Sequence, residues 1–160
     1  MKTAGRIFVL ALMLTVIGCD HVTKRIASEQ LSGTAGRSYL NDVVRFEYAE
    51  NSGAFLSWGA GLPGLLIVGA GIGLIAIATI AIKGQWRGLS LIGASLVVAG
   101  GLSNLVDRIA RGVVIDFVTI GWAGLRTGVF NIADVALVIG VAMIVFFHHK
   151  DTKAQRFFVS

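Results

Sequence analysis

Two aspartates, Asp116 and Asp134, are the residues of this sequence whose types and positions could do chemistry together. Asp134 is the single charged residue in the apolar stretch from Thr127 to Phe147. An ionised carboxylate is costly there, and a second carboxylate nearby increases the cost unless the two share one proton. Such a pair can activate water with the ionised group and protonate a carbonyl with the other. The alternative is that Asp134 caps a helix and Asp116 pairs with an arginine.

Other polar side chains lie near the same ends of the apolar stretches, and their spacing supports one shared site. Residues three or four apart on a helix share a face. Asp20 and Lys24 have this spacing, as do Asn104 and Arg108, and Asn131 and Asp134. The full set of candidate polar residues is Asp20, Lys24, Asn51, Asn104, Asp107, Arg108, Asp116, Asn131 and Asp134.

Other hydrolytic chemistries fit the sequence poorly. It contains no His-Glu-x-x-His helix for zinc, no Gly-x-Ser-x-Gly turn and no glycine-rich phosphate loop. Lys24 and Ser28 are the nearest approach to a serine–lysine pair. No metal or cofactor is therefore expected.

The composition excludes a soluble globular domain. The chain has 160 residues, of which 55% are hydrophobic and 14% are charged, and its mean hydropathy is +0.79. Soluble domains carry roughly 25% charged residues. The single proline and single cysteine exclude collagen-like and disulfide-rich classes. We expect one membrane domain over residues 1–160.

The uncharged stretches predict four membrane-spanning helices, because each span needs about 20 apolar residues. We place them at about 7–24, 63–82, 88–106 and 131–147. Small residues within the spans predict sites where helices pack closely. They are Gly69, Gly73, Gly93, Ala99, Gly100 and Gly101.

The distribution of basic residues predicts the orientation. Four spans place both termini on one side, and each side then has seven basic residues. One group lies in short segments close to the span ends, and an excess of Lys and Arg in such segments is typical of the cytoplasmic side. Its members are Lys2, Arg6, Lys83, Arg87, Lys150, Lys153 and Arg156. The other group is spread over two longer loops that also carry acids: Lys24, Arg25, Arg37, Arg45, Arg108, Arg111 and Arg126. We therefore expect both termini in the cytoplasm and loops 20–62 and 107–130 outside.

Both external loops contain strand-like stretches. Val43–Tyr48 and Val113–Val118 are rich in β-branched and aromatic residues. Short strands need paired edges, so we expect a small sheet on the membrane surface.

Five motifs in order resemble the bacterial lipoprotein signal peptidases, or signal peptidase II family, over nearly the whole chain. The motifs are Asp-x-x-Thr-Lys at 20–24, Asn-x-Gly-Ala-Phe at 51–55, Gly-Gly-x-x-Asn-x-x-Asp-Arg at 100–108, Val-x-Asp-Phe at 114–117 and Phe-Asn-x-Ala-Asp at 130–134. The resemblance implies an aspartic endopeptidase of the bacterial plasma (inner) membrane. It would cut prolipoproteins just before a cysteine that carries a diacylglyceryl group.

The resemblance also implies roles for residues and a fold. Asp116 and Asp134 match the catalytic pair. Asn51, Gly53, Asn104, Arg108 and Asn131 match positions that bind substrate or support the pair, and Asp20, Lys24 and Asp107 match structural positions behind it. The implied fold is an all-α membrane protein with four transmembrane helices, a small external β-sheet and a short external helix in the second loop. Membrane lipids and prolipoproteins are the expected partners, nucleic acid is not, and a monomer is expected.

Two alternatives of other classes remain: a small proton or ion transporter, and a non-catalytic membrane assembly factor. A transporter should have polar residues through the whole membrane, whereas here the inner half of each span is apolar. Met1–Cys19 also imitates a removable lipoprotein signal. We expect it to be retained, because Asp20 and Lys24 belong to the first motif.

Overall fold

The part of the chain that the structure describes folds into four long helices and a four-stranded sheet. The computed structural model describes residues 3–53, 63–83, 86–122 and 124–157. The helices are α1 (Thr3–Leu31), α2 (Pro63–Lys83), α3 (Gly88–Arg111) and α4 (Ile132–Phe157). The strands are β1 (Arg37–Tyr39), β2 (Val44–Asn51), β3 (Val114–Trp122) and β4 (Leu125–Arg126). Ala54 and Phe55 of the second motif lie outside the described residues.

Three of the helices are long and apolar enough to cross a membrane. They are Thr3–Leu31, Gly64–Lys83 and Gly88–Arg111. The apolar part of α4, Ile132–Phe147, is shorter. The prediction of an apolar helical membrane protein is thus confirmed, while the fourth membrane crossing stays a prediction.

The sheet is antiparallel, with strands in the order β1-β2-β3-β4. In β2 and β3, Phe46 is opposite Val118 and Asn51 is opposite Val114, with a register shift between Phe46 and Ala49. The two predicted strand stretches therefore pair with each other, as expected. This pairing aligns the end of β2, which carries Asn51, with the start of β3, which carries Asp116.

The short helix expected in the second loop is not found in residues 112–122 and 124–131, so that part of the prediction is wrong for the described residues. The β-branched pattern continues past Val118 through Thr119 and Ile120, and β3 extends as far as Trp122. Strand pairing with β2 satisfies the backbone groups that a helix would have satisfied internally.

Small residues bring α3 and α4 into close contact, as predicted. A Cβ atom built on Gly93 would lie 2.8 Å from the carbonyl oxygen of Gly140. A Cβ atom on Gly140 would lie 2.6 Å from the carbonyl oxygen of Gly93, and one on Gly100 would collide with the carbonyl oxygen of Ala133. Only glycine fits at these three positions without moving a helix.

The packing prediction is wrong for Gly69 and Gly73 of α2. A Cβ atom at either position would meet nothing within 4 Å. These two glycines instead line an open groove between α2 and its neighbours. Their small size leaves that groove wide.

The sheet is anchored on the C-terminal end of α1. Ala27 and Leu31 of α1 form a buried apolar cluster with Phe117 of β3. The partly buried side chains packed against this cluster are Phe46, Tyr48, Val118 and Ile132. The cluster thereby fixes the start of β3 close to the start of α4.

Candidate active site

Asp116 lies in β3 and is held by two side-chain amides. Its carboxylate is 2% exposed. Asn51 donates from Nδ2 to Oδ2 of Asp116 at 3.0 Å, and Asn131 donates from Nδ2 to Oδ1 at 2.7 Å. Asp116 therefore pairs with amides. The alternative, an ion pair between Asp116 and an arginine, is not found among the described residues.

Asp134 lies in the first turn of α4 and takes part in a reciprocal cap with Asn131. The backbone N–H of Asp134 donates to Oδ1 of Asn131 at 2.9 Å. The backbone N–H of Asn131 donates to Oδ2 of Asp134 at 3.2 Å. This arrangement satisfies helix N-terminal donors and places the carboxylate at the positive end of the helix.

The cap uses only Oδ2 of the Asp134 carboxylate. The other oxygen, Oδ1, accepts from Nδ2 of Asn104 of α3 at 2.8 Å. Asn131 thus contacts Asp116 through its side chain and Asp134 through its backbone. One asparagine bridges the two predicted catalytic carboxylates. The structure thus brings together two aspartates that are 18 positions apart in sequence, one on a strand and one at a helix terminus.

Burial is the largest influence on the Asp116 carboxyl and raises its pKa to about 6. The hydrogen bond from Asn51 opposes this increase, and the nearby charge of Asp134 adds to it. A carboxyl group with this pKa holds a proton more readily than an ordinary aspartate. That is the property which one member of a proton-sharing pair requires.

Arg108 and Gly53 connect α3 to the end of β2. Arg108 donates from Nη2 to the carbonyl oxygen of Gly53 at 2.5 Å. The backbone N–H of Gly53 donates to Oδ1 of Asn51 at 2.9 Å, which orients the amide of Asn51 towards Asp116. The Nε atom of Arg108 is buried without a hydrogen-bond partner in the described part of the chain.

Asp20, Lys24 and Asp107 form a buried ionic cluster behind the site. Lys24 Nζ lies 2.6 Å from Oδ2 of Asp20 and 2.7 Å from Oδ2 of Asp107. Asp20 also accepts from the backbone N–H of Ala133 at 2.9 Å, in the first turn of α4. The cluster joins α1, α3 and α4.

Sequence reasoning missed two contacts in this cluster. Ser103 donates to Oδ2 of Asp20 at 2.7 Å. Lys24 Nζ donates to Oδ1 of Asn104 at 2.8 Å. The spacing of Ser103 and Asp107 places them on the same helix face, which was an available signal for the first contact. Asn104 is three residues from Asp107 and shares that face too, but both contacts join α3 to α1, so spacing does not identify the atom contacted on α1.

The site opens into a groove with a volume of about 1000 Å³. Its polar end carries Asn51, Asn104, Arg108, Asp116 and Asp134. Its walls are apolar and come from three helices, with Leu66 and Leu74 of α2, Val97 of α3, and Leu137 and Val138 of α4 among them. Within the described residues, no group of three or more His, Cys, Asp or Glu could hold a metal ion.

Apolar helices together with two neighbouring carboxylates at a groove, one buried and one half-buried, define a membrane enzyme, and the comparisons agree. The family model for signal peptidase (SPase) II matches residues 12–149. A solved structure described as a bacterial membrane enzyme has a TM-score of 0.83 and 29% identity, and covers 91% of this chain and 89% of that one. A second such structure has a TM-score of 0.78 and the same identity, and covers 86% of this chain and 90% of that one.

Two related sequences align with this one over most of the length of both chains. A lipoprotein signal peptidase of Pelodictyon phaeoclathratiforme is 31% identical over 156 residues, which cover 91% of this chain and 92% of the relative. One of Chlorobium phaeobacteroides is 33% identical over 150 residues and covers 88% of each chain. The chain belongs to the signal peptidase II family. It is a peptidase of a bacterial membrane.

Proposed function

We propose that this chain is an aspartic endopeptidase that removes the signal peptide from diacylglyceryl-modified prolipoproteins, cutting just before the lipidated cysteine. Family membership and the names of the relatives support signal-peptide removal. One observation supports the aspartic type: Asp116 and Asp134 are bridged by Asn131 at the polar end of an apolar groove.

The chemistry requires one proton on the pair. The ionised carboxylate takes a proton from a water molecule, whose oxygen bonds to the carbon of the scissile carbonyl. The protonated carboxyl group gives its proton to the carbonyl oxygen, which yields a neutral tetrahedral intermediate. Collapse of the intermediate breaks the C–N bond. The carboxyl group that took the proton from water gives it to the nitrogen of the departing cysteine residue, and the other carboxylate takes the proton of a hydroxyl group of the intermediate, which restores the pair.

The remaining polar residues fit roles in holding substrate and the pair. Asn51, Asn104 and Asn131 donate directly to the two carboxylates. Arg108 holds the end of β2 beside them through its hydrogen bond to the carbonyl oxygen of Gly53. Asp20, Lys24 and Asp107 support the pair from behind.

The groove suits a lipid-modified substrate. Its apolar walls come from α2, α3 and α4 and offer acyl chains a surface to pack against. Acyl chains in the membrane already lie in hydrocarbon, so this binding relies on close packing in the groove and not on removal from water. The modified cysteine would then lie next to the carboxylate pair.

We further propose that residues 1–160 form one monomeric domain whose four helices span the plasma membrane at about 7–24, 63–82, 88–106 and 131–147. Both termini are then cytoplasmic and the sheet and carboxylates are external. The positions of the basic residues support this orientation. The presence of all the polar site residues at one end of the helix bundle also supports it.

The decisive experiment uses the purified protein and two precursor peptides of one sequence, with and without the diacylglyceryl group on cysteine. We expect cleavage immediately before the cysteine of the lipidated peptide and far slower cleavage of the other. Equal rates on both peptides would contradict the substrate assignment. An intact lipidated precursor would contradict the function, and is what a transporter or an assembly factor would give.

A further inference from the structure

The ammonium group of Lys24 has three partners in the core of the protein. Lys24 is 1% exposed. Its Nζ contacts Oδ2 of Asp20, Oδ2 of Asp107 and Oδ1 of Asn104 at 2.6, 2.7 and 2.8 Å. An ammonium group has three N–H donors and no acceptor. Two carboxylates would suffice to balance its charge, so the third contact, to a neutral amide, invites a separate explanation.

Lys24 determines which end of the Asn104 amide faces the site. The oxygen of Asn104 accepts from Lys24, and its Nδ2 donates to Asp134 at 2.8 Å. Reversing the amide would place its N–H groups against an ammonium group and its oxygen against a carboxylate. Both new contacts would be repulsive, whereas both existing contacts are attractive. A group that can only donate therefore fixes this amide in one orientation.

The orientation of the Asn104 amide in turn fixes the orientation of the Asn131 amide. Nδ2 of Asn131 donates both to Oδ1 of Asn104 at 3.2 Å and to Oδ1 of Asp116 at 2.7 Å. Its own oxygen accepts from the backbone N–H of Asp134 at 2.9 Å. If the amide of Asn104 were reversed, Asn131 would face a donor and lose this bond. Donors to both carboxylates thus depend on the orientation of Asn104.

We propose that Lys24 is a positioning residue that fixes the direction of the amide donors holding both carboxylates. The proposal rests on the proposed function, because the carboxylates matter only if they are the catalytic pair. Lys24 touches neither of them in this arrangement and acts through Asn104. Its loss should therefore affect the chemical step more than substrate binding.

The charged groups around the pair must be held constant in any test of this proposal. They come from α1, β2 and α3, because β3 has no ionisable residue besides Asp116, α4 has none besides Asp134 before His148, and α2 has none before Lys83. These groups are Asp20 and Lys24 on α1, Glu50 on β2, and Asp107, Arg108 and Arg111 on α3. Removing Lys24 alone would leave Asp20 and Asp107 without their shared cation.

The test therefore compares two double variants, Lys24→Gln with Asp107→Asn and Lys24→Met with Asp107→Asn. Each removes one positive and one negative charge, so the cluster keeps its net charge. Glutamine and methionine side chains are equally long, but only glutamine has N–H groups to donate to Asn104. Arg25→Gln is the control, because Arg25 is an exposed neighbour of Lys24 that pairs with Glu29.

We expect kcat per folded molecule to be at least about tenfold lower in the methionine variant than in the glutamine variant, with similar KM, because one oriented hydrogen bond to a charged group is lost. The acid side of the pH profile should move to higher pH in the methionine variant. Its ionised carboxylate is less stabilised, so a higher pH is needed to form it. Arg25→Gln should match the wild type.

Equal kcat and equal pH profiles in the two double variants would overturn the proposal and leave Lys24 a purely structural residue. If the methionine variant does not fold, the glutamine double variant is compared with Asp107→Asn alone. Because glutamine keeps a donor to Asn104, its kcat per folded molecule should match that of Asp107→Asn, and a loss of about tenfold or more would overturn the proposal equally. Failure of the wild type to cut the lipidated precursor would instead contradict the proposed function. The two failures are therefore distinguishable.

Discussion

Each carboxylate of the pair accepts two N–H donors, and these donors are amides and not cations. Asp116 accepts from Asn51 and Asn131, and Asp134 accepts from Asn104 and from the backbone of Asn131. Neutral donors hold an ionised carboxylate in place and still allow that carboxylate to take up a proton. A cation in direct contact would favour full ionisation of both groups.

The first prediction concerns the pair itself. Asp116→Asn and Asp134→Asn should each lower cleavage by at least about a thousandfold, because asparagine can neither take a proton from water nor share one. The double variant should lose little more, since the two groups act as a unit. Cleavage of the lipidated precursor, normalised to folded protein, is the measurement.

The controls for that prediction are Asp20→Asn and Asp107→Asn, which alter the ionic cluster behind the pair. They should act mainly by lowering the amount of folded protein. Near-wild-type turnover by Asp116→Asn or Asp134→Asn would rule out an aspartic peptidase.

The second prediction concerns pH and stability. Burial raises the pKa of Asp116 to about 6, above the ordinary value of 3.8, so the folded protein binds this proton more tightly than the unfolded chain. Stability from this group is complete below about pH 4 and is lost as pH rises through 6. Relative to wild type, Asp116→Asn should therefore gain on the order of 1–3 kcal/mol in free energy of unfolding between pH 4 and 7.

Unfolding in detergent at several pH values measures this difference, and Asp42→Asn is the matched control. Exposed Asp42 accepts from Ser38 and Arg45, and these bonds lower its pKa. Its stabilising effect is therefore complete above the ordinary pKa of 3.8 and is lost only as pH falls below that value, so the stability difference between Asp42→Asn and wild type should stay nearly constant between pH 4 and 7. Parallel pH curves for wild type and Asp116→Asn would contradict the assignment of a buried, proton-retaining carboxyl group.

For individual residues, the sequence predicted which side chains lie close together but not which hydrogen bonds they form. A lone carboxylate in an apolar stretch indicated Asp134, and the need for a partner indicated Asp116. The contact between Lys24 and Asn104 joins residues 80 positions apart. It depends on how α1 and α3 are aligned, which is a property of packing and has no local pattern.

Among the elements, the helices were predictable from apolar length, whereas their contacts were only partly so. Glycine at 93 and 100 indicated close packing correctly, and Gly140 completes that contact from α4. Gly69 and Gly73 gave the same signal and face open space. A small residue permits close approach without requiring it, so the sequence alone could not separate a packing contact from a groove wall.

The third prediction tests the contact between α3 and α4. Gly140→Ala should lower the free energy of unfolding by about 1–3 kcal/mol, because its Cβ would lie 2.6 Å from the carbonyl oxygen of Gly93. The helices would separate close to the turn that carries Asp134, so cleavage should also decrease. Thermal unfolding and cleavage assays of the purified variant measure the two effects.

Gly71→Ala is the matched control, because a Cβ atom there meets nothing within 4 Å. Alanine is the better helix former by about 1 kcal/mol, so this variant should be as stable as the wild type or more stable. Equal melting temperatures for Gly71→Ala and Gly140→Ala would show that the glycine contact does not limit packing.

For the whole molecule, one end of the helix bundle holds the entire polar network. The C-terminal part of α1, the end of α3 and the start of α4 meet there, and the sheet packs on the same end. The opposite ends of α2 and α3 carry Lys83 and Arg87. A substrate with acyl chains in the outer half of the membrane can reach such a site only if that end faces outwards.

The last prediction concerns this orientation. A reporter fused after Phe147 should be cytoplasmic, and one inserted at Ser32, just beyond the end of α1, should be external. The reason is that basic residues near span ends remain in the cytoplasm, and the short segments next to Lys2, Lys83 and Lys150 contain seven of the 14 basic residues.

Cysteine labelling from outside intact cells, at Ser32→Cys and Ser160→Cys in a Cys19→Ala background, gives an independent measurement. Cys19→Ala itself should remain active, which makes it a valid background. Labelling at residue 160 but not at residue 32 would place the carboxylate pair on the cytoplasmic face and would contradict the proposed access of lipidated substrate from outside.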